Sequence, residues 1–420
     1  MKRLIGCVVA LVCVFAWMLP ARAEAATPST NSALERVGAC IAGGGEGDLQ
    51  LLIDTSGSLA QTDPTDARVA AAKYLMGQLS TFVSTNNARI DVAIAGFAAQ
   101  FEQQMNWTQL TSGSLPGIDA KLDTFSHQNS GQDTDYWNAL TGARKSLEAQ
   151  GATSGAHCPM VVLITDGEYS IQPRDTLSAA QVKQQGDPKP YAPNQKLNTV
   201  AQANAAVADG IKDLCRPTGL ADQLRSDNIT TVAIGLSSFQ KPDFSLLQGI
   251  STGTTGTPCG SLTKPAPGAF FKADNIDDLF FAFDQFAAPG EAPIAQTAGV
   301  CTKTACPQGA HTFVVDSSIG RVHALADSTV SGAQVQLRAP SGKVLDLQMG
   351  SSAQHGTLAS ANITWRWVSP RTISVDLQPT NNAQWTGQWA LTFIAQTSGS
   401  RGRACICSVI SCPCGPTRRV

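Results

Sequence analysis

From about residue 47 to 288, short apolar runs alternate with stretches of helical periodicity. The apolar runs, such as DLQLLI (48–53) and MVVLIT (160–165), are rich in Leu, Ile and Val and predict strands at 49–54, 89–97, roughly 105–110, 160–165, 230–236 and 269–272. Between them the spacing of apolar positions predicts helices over 67–83, 116–124, 135–150, near 198–225, 242–250 and 276–287. Strands that are apolar on both faces and alternate with helices imply a mostly parallel sheet covered on both sides, the doubly wound α/β class. In that class ligands gather at the carboxyl ends of the strands. One link stands out: residues 169–196 are polar, dotted with proline and far longer than the usual strand-to-helix connection of about 2–6 residues. They leave from the carboxyl end of a central strand, so they either overhang a site there or form a solvated insertion.

After Pro289 the helical pattern stops. The alternating runs HTFVVD, VHALAD, AQVQLRA, ITWRWV, TISVDL and QWALTFIA, separated by Gly, Pro, Ser and Asn, predict an all-β, immunoglobulin-like sandwich over 310–398. Trp365 and Trp367, and Trp385 and Trp389, are each expected to share a strand face as core residues rather than as a sugar-binding platform. The remaining boundaries are a leader at 1–23, an N-terminal segment at 24–46, the α/β domain at 47–288, a linker at 289–309 and a Cys-rich tail at 399–420.

The first residues carry Lys2 and Arg3, an apolar run to Leu19, Pro20 and an Ala-Arg-Ala ending at Ala23, which together read as a cleaved signal peptide. Cleavage there removes three basic residues and leaves 27 against 32 acidic ones, a mild net charge of −5 that argues against nucleic acid as a partner. No second apolar stretch is long enough to span a membrane. Of 12 cysteines, Cys7 and Cys13 leave with the leader, and the even remainder in an exported chain is read as disulfides. Cys40 and Cys158 each precede a buried strand and would be bridged if those strands lie side by side. Cys215 with Cys259 and Cys301 with Cys306 are the next expected pairs. The tail RGRACICSVISCPCGPTRRV has no periodicity and reads as two further disulfides or a frameshifted end before it reads as a soft-metal clip.

Chemistry concentrates where strands end. Asp54, Ser56 and Ser58 occupy alternate positions at the close of the first strand, with Thr55 and Gly57 supplying the turn. A carboxylate and two hydroxyls are hard oxygen donors suited to magnesium or manganese. Thr134, in GQDTD before a helix, can reach the same rim, and Asp166 ends the run MVVLIT with Gly167 behind it. Asp133 or Asp135 adds negative charge nearby or, preferably, caps the helix.

These residues resemble the von Willebrand factor type A domain and its metal-ion-dependent adhesion site. The family pattern is D-x-S-x-S, a distant Thr, and Thr-Asp-Gly at the end of the fourth strand, and all five positions are filled here by Asp54, Ser56, Ser58, Thr134 and Asp166. The resemblance covers roughly 47–288 and implies a Rossmann-like fold of a bacterial exported type. It further implies that Ser56, Ser58 and Thr134 contact a divalent cation directly, and that Asp54 and Asp166 do so directly or through water. Magnesium is the expected ion, with manganese or calcium as substitutes.

Two acids and three neutral hydroxyls leave such a cation under-neutralised and short of six ligands, so an acidic side chain of a protein partner can complete its shell. The expected function is thus an exported, metal-dependent adhesion module at the cell surface or in the periplasm, open to envelope association. A cell-envelope scaffold or fibre subunit with a secondary metal site is the alternative, and a hydrolase ranks behind both. IDTSG has an extra serine relative to an acid-protease motif and has no second copy. Ser56 replaces the second acid of a D-x-D phosphatase, and His127, His157, His311, His323 and His355 show no ligand spacing.

Overall fold

The computed structural model describes residues 32–281 and 294–408, apart from 153–154, 238–240, 265–266, 276, 279, 351, 382–383 and 396–401. The expected signal peptide, the tail beyond Ser408 and the later part of the 276–287 helix lie outside the described residues.

The α/β domain is built on six strands: β1 (Glu46–Asp54), β2 (Ile90–Phe97), β3 (Phe101–Gln109), β4 (His157–Thr165), β5 (Thr230–Leu236) and β6 (Gly268–Ala273), in the order β3-β2-β1-β4-β5-β6. Only the β2–β3 pair is antiparallel; the others run parallel. Alternate side chains of the central strands feed two cores. Leu51, Ile53, Val162 and Ile164 pack beneath α3 (Ala67–Asn86), and Leu52, Val161 and Leu163 pack beneath α5 (Tyr136–Gly151). This two-sided burial explains why β1 and β4 read as nearly unbroken apolar runs. Register places Ile53 beside Ile164, so the carboxyl ends of β1 and β4 meet, at the point where the strand order reverses around β1.

Several local expectations change. The segment before residue 47 contains a helix, α1 (Ser32–Ala42), pinned to the start of β4 by the disulfide Cys40–Cys158. Disulfides Cys215–Cys259 and Cys301–Cys306 are also formed. The long helix expected near 198–225 is two, α7 (Val200–Cys215) and α8 (Leu220–Ser226). Pro217 and the left-handed Thr218 (φ 60°) break it between them.

The second domain is a sandwich of sheets, antiparallel except where β8 runs parallel to β16, that extends beyond both expected ends. One sheet has the order β13-β14-β15-β10-β17-β7 and the other β12-β11-β16-β8, with β9 on β16. Within the stretch 289–309, expected as linker, lie β7 (Ile294–Ala298) and β8 (Cys301–Thr302). Within the tail, expected to lack periodicity, lies β17 (Gly402–Ser408). β17 pairs with both β10 (Val322–Ser328) and β7, so pairing rather than hydrophobic alternation makes it a strand. β12 (Val344–Leu347) and β13 (Gln354–Leu358) are too short and mixed to show in the pattern; the rest are β9 (Ala310–Val315), β11 (Gln334–Arg338), β14 (Ala361–Trp367), β15 (Thr372–Pro379) and β16 (Gly387–Ala395).

Trp365, Trp367, Trp385 and Trp389 are all buried in the sandwich core. Trp365 and Trp367 share a face of β14, but Trp385 precedes β16, and its ring meets that of Trp389 edge-on at 5.6 Å from the turn. The sandwich docks on the first domain through Asp277, whose buried carboxylate accepts hydrogen bonds from Ser369 Oγ (2.6 Å) and Thr372 Oγ1 and faces Arg371 (3.4 Å). Among the described residues no helix is long and apolar enough to cross a membrane.

His311 on β9 is fully buried against the edge of Phe393, and neither ring nitrogen has a partner. Burial pushes its imidazole down to about 4 from the ordinary 6.5. The folded state therefore binds fewer protons than the unfolded one between those values. This contribution to stability is complete above pH ~6.5 and is lost as pH falls through ~4. Urea unfolding of the whole chain should show His311→Phe relieving about 3 kcal/mol of acid destabilisation at pH 4. An identical pH slope in the variant would refute this account.

Candidate metal centre

β1 delivers Asp54 to the rim fully buried. One of its oxygens accepts from Ser56 N at 2.7 Å, closing an Asx turn, and the other accepts from Thr165 Oγ1 of the neighbouring strand at 2.5 Å. The turn sets Ser56 and Ser58 with hydroxyl oxygens 3.1 Å apart. Ser58 Oγ donates to Asp166 Oδ1 at 3.0 Å, and Ser56 Oγ lies 3.5 Å from the same oxygen. Although Ser58 occupies the N-cap of α2 (Leu59–Thr62), its side chain makes no capping bond. It turns toward Asp166 instead.

Thr134 arrives from the other direction. Its backbone bridges to Ser170 (Thr134 N to Ser170 O, 2.9 Å), and its hydroxyl closes on Gly167. A Cβ at Gly167 would stand 3.2 Å from Thr134 Oγ1 and 3.7 Å from Ser58 Oγ, so both hydroxyls converge on the space a side chain there would fill. The structure thus brings all five predicted positions to one rim.

Its electrostatics are unbalanced. Burial, then the nearby charge of Asp166, push the Asp54 carboxyl up to about 7. Burial likewise raises Asp166, against the hydrogen bonds of Thr62 and Ser58 and the more distant charge of Arg68. Arg68 is itself engaged: fully buried, it bonds Asp63 (2.7 Å), Asp66 (3.1 Å) and the carbonyls of Phe125 and Gln128 (both 3.0 Å). Two dry carboxylates beside three converging hydroxyls form a site deficient in positive charge, and its donors are the hard oxygens a magnesium-like ion prefers. Among the described residues no group of three His, Cys, Asp or Glu side chains gathers to hold a metal. A cation at this rim would therefore rest on the hydroxyls together with the acid pair.

Several contributors were not visible in the sequence. Thr62 bonds Asp166 from α2, a single hydroxyl with no motif to mark it, and Thr165, the first residue of the Thr-Asp-Gly motif, bonds Asp54 across the sheet, a partner the motif does not name. The 169–196 link is pinned, not merely solvated. Arg174 grips Asp133 through both nitrogens (2.8 and 2.5 Å), and Lys189 lies 3.0 Å from Asp133 and from Asp135, all four buried. Burial would raise Asp133, but Arg174 and Lys189 prevail and hold it below the usual carboxylate range. Asp135 does cap α5, accepting from Asn138 N at 3.1 Å, and also accepts from Tyr191 (2.9 Å). Asp133 is no cap; it is the anchor of the insertion. Thr134 stands between the two anchored acids.

The family model of the von Willebrand factor type A domain matches residues 49–168, from β1 to just past β4. No curated protein matches the chain. Among solved structures, a von Willebrand factor type A protein from Catenulispora acidiphila is 14% identical, with 87% of this chain and 62% of that one covered and a TM-score of 0.35. The PilB minor pilin from Streptococcus sanguinis is 14% identical, covering 58% and 60%, with a TM-score of 0.39. Proximal thread matrix protein 1 from the mussel byssus, with a zinc-occupied MIDAS motif, is 15% identical, covering 61% and 51%, with a TM-score of 0.36. The chain spans roughly 60% of the length of the first structures it matches.

The pinned insertion has a measurable signature. Lys189→Met removes one of two buried cations that balance Asp133 and Asp135, and should destabilise the chain by about 3–5 kcal/mol. Hydrogen exchange should rise first across 169–197. Undiminished protection there in the variant would show that the network does not hold the insertion.

Proposed function

From the von Willebrand factor type A domain that this chain carries at residues 49–168, we propose that its strand-end rim captures an acidic side chain of a protein partner through a divalent cation. The observation that carries this reading is the meeting of Ser56, Ser58 and Asp166 oxygens within 3.0–3.5 Å, beside a Thr134 hydroxyl closing on Gly167. Ser56, Ser58 and Thr134 would hold the ion directly. Asp54 and Asp166 would neutralise it, directly or through water. A bound divalent cation would supply an open coordination position for a carboxylate oxygen of the partner. Thr165, Thr62 and the Asx turn keep the donors in place beforehand, so little ordering opposes binding.

Magnesium is the ion proposed, with manganese or calcium able to replace it. The chain is proposed to act outside the cytoplasm, a reading supported by the three disulfides among its described residues. We read it as a binding protein rather than an enzyme. Four histidines find contacts away from the site hydroxyls: His127 with Asp66, His157 with Asp48, His323 with Asp376 and His355 with Thr364. His311 is buried in the sandwich, so no imidazole activates Ser56 or Ser58 in the described structure. A scaffold role is the second reading, favoured by the buried Asp277 contacts that fasten the sandwich to the α/β domain.

Isothermal titration of the purified chain with Mg²⁺ and Mn²⁺ should show one site, lost in both Asp54→Ala and the nearly isosteric Asp54→Asn. Equal heats from wild type and variants, or none from any, would sink the metal proposal. A pH test follows from the raised carboxyls. A carboxyl whose folded value exceeds its unfolded one contributes stability below about 4, lost as pH rises through about 7. A cation reverses that loss by replacing the proton. Added Mg²⁺ should therefore raise the melting temperature more at pH 8 than at pH 6, and equal shifts at the two values would contradict the assignment of these acids.

A further inference from the structure

A cavity of about 450 Å³ opens beside the rim, between the loop after β1, the β2–β3 turn, residues 127–132 and α6 (Ala179–Gln185) of the insertion. Six of its lining residues are glutamines: Gln100, Gln128, Gln132, Gln181, Gln184 and Gln185. It shares a wall with the candidate metal centre. Thr55, between Asp54 and Ser56, lines it, as does Gly131, whose backbone pairs with Thr55 (2.9 Å) and Gly57 (2.8 Å).

The chemistry of this lining is specific. A carboxamide presents a donor and an acceptor side by side, the same pair a peptide group offers, so glutamines can hydrogen-bond a main chain without regard to its side chains. Glu102 and His127 are the charged or titratable groups in the lining, which makes it a poor seat for an ionic ligand. Among the described residues no Phe, Tyr or Trp lines it, so a sugar would lack the broad aromatic face on which sugars stack. The walls are set in advance. Ser178 and Gln181 form a capping box on α6, Gln100 Nε2 donates to Gln185 O at 3.0 Å, and buried Lys189 donates to the same carbonyl at 3.1 Å. The side chains of Gln132 and Gln184 are exposed and make no hydrogen bond among the described residues, so their amides remain open to a ligand.

We infer that this glutamine-lined cavity receives the extended main chain that flanks the acidic residue of a protein partner. The inference rests on the proposed capture of that carboxylate at the adjoining rim. The cation would supply charge recognition, and the cavity would supply neutral amide-to-amide recognition of the neighbouring residues.

The test uses a displayed library of nine-residue peptides with a fixed central Asp or Glu, selected on the full chain in Mg²⁺ and eluted with EDTA. Selected peptides are then measured on wild type, Asp54→Ala and the double variant Gln132→Ala/Gln184→Ala. The expected result is binding abolished in Asp54→Ala and weakened about tenfold or more in the double variant, whose Mg²⁺ affinity is unchanged. Peptides that bind the double variant as tightly as wild type would overturn the cavity's role while leaving cation capture intact. Failure to recover any peptide released by EDTA would overturn cation capture and the cavity proposal with it. Glycans on an array that bind the chain, and lose binding in the double variant, would overturn the peptide as occupant.

Discussion

The structure turns on two carboxylates brought together at the dry ends of adjacent parallel strands. β1 and β4 are buried on both faces, and their register sets the end of one against the end of the other. Asp54 and Asp166 leave those ends into a space where water screens them poorly. Burial raises both carboxyls, and the charge of Asp166 adds to the rise of Asp54. The surrounding hydroxyls of Ser56, Ser58, Thr62 and Thr165 temper the repulsion with hydrogen bonds but bring no positive charge. A divalent cation is the simplest group that would satisfy the acids and use the hydroxyls as ligands at once.

A second group of buried acids, a few residues away, is balanced differently. Asp133 and Asp135 flank Thr134 and are met inside the protein by Arg174 and Lys189. The contrast is one of partners: Asp133 and Asp135 meet cations inside the protein, whereas Asp54 and Asp166 meet hydroxyls. Because both cations come from the 169–196 segment, the balance also fastens that segment over the rim. Stacking of Tyr136 on Tyr169 and the edge contact of Tyr169 with Tyr191 add apolar hold to the same junction. The insertion is thereby a built wall beside the rim, and α6 presents its glutamines from a fixed position.

The sandwich is attached by the same device on a smaller scale, a buried carboxylate satisfied by its neighbours. Asp277 takes hydroxyl hydrogen bonds from Ser369 and Thr372, while Leu325 and Val368 extend the core of the α/β domain into the second one. Polar and apolar contacts together join the two domains.

Periodicity determined the doubly wound sheet and the sandwich after it, the strand-end motifs and their family resemblance pointed to the five rim positions, and the cysteine positions suggested three pairs that the fold then bridges. These are legible because they rest on local order: continuous apolar runs mark strands covered on both faces, and D-x-S-x-S and Thr-Asp-Gly announce strand ends in a parallel sheet. What only the tertiary structure decided is everything that depends on distant partners. β7 and β17 are strands because they pair with each other, not because their own residues alternate. Asp133 looked like a cap because its neighbours in sequence belong to a helix start, yet Arg174 and Lys189, 41 and 56 positions on, make it an anchor. The same holds for Thr62, whose hydroxyl acquires meaning only when the fold lays it on Asp166, and for the bond that Thr165 makes to Asp54. A hydrogen bond or ion pair between remote residues leaves no period in the chain, since its energy depends on a distance that folding alone establishes.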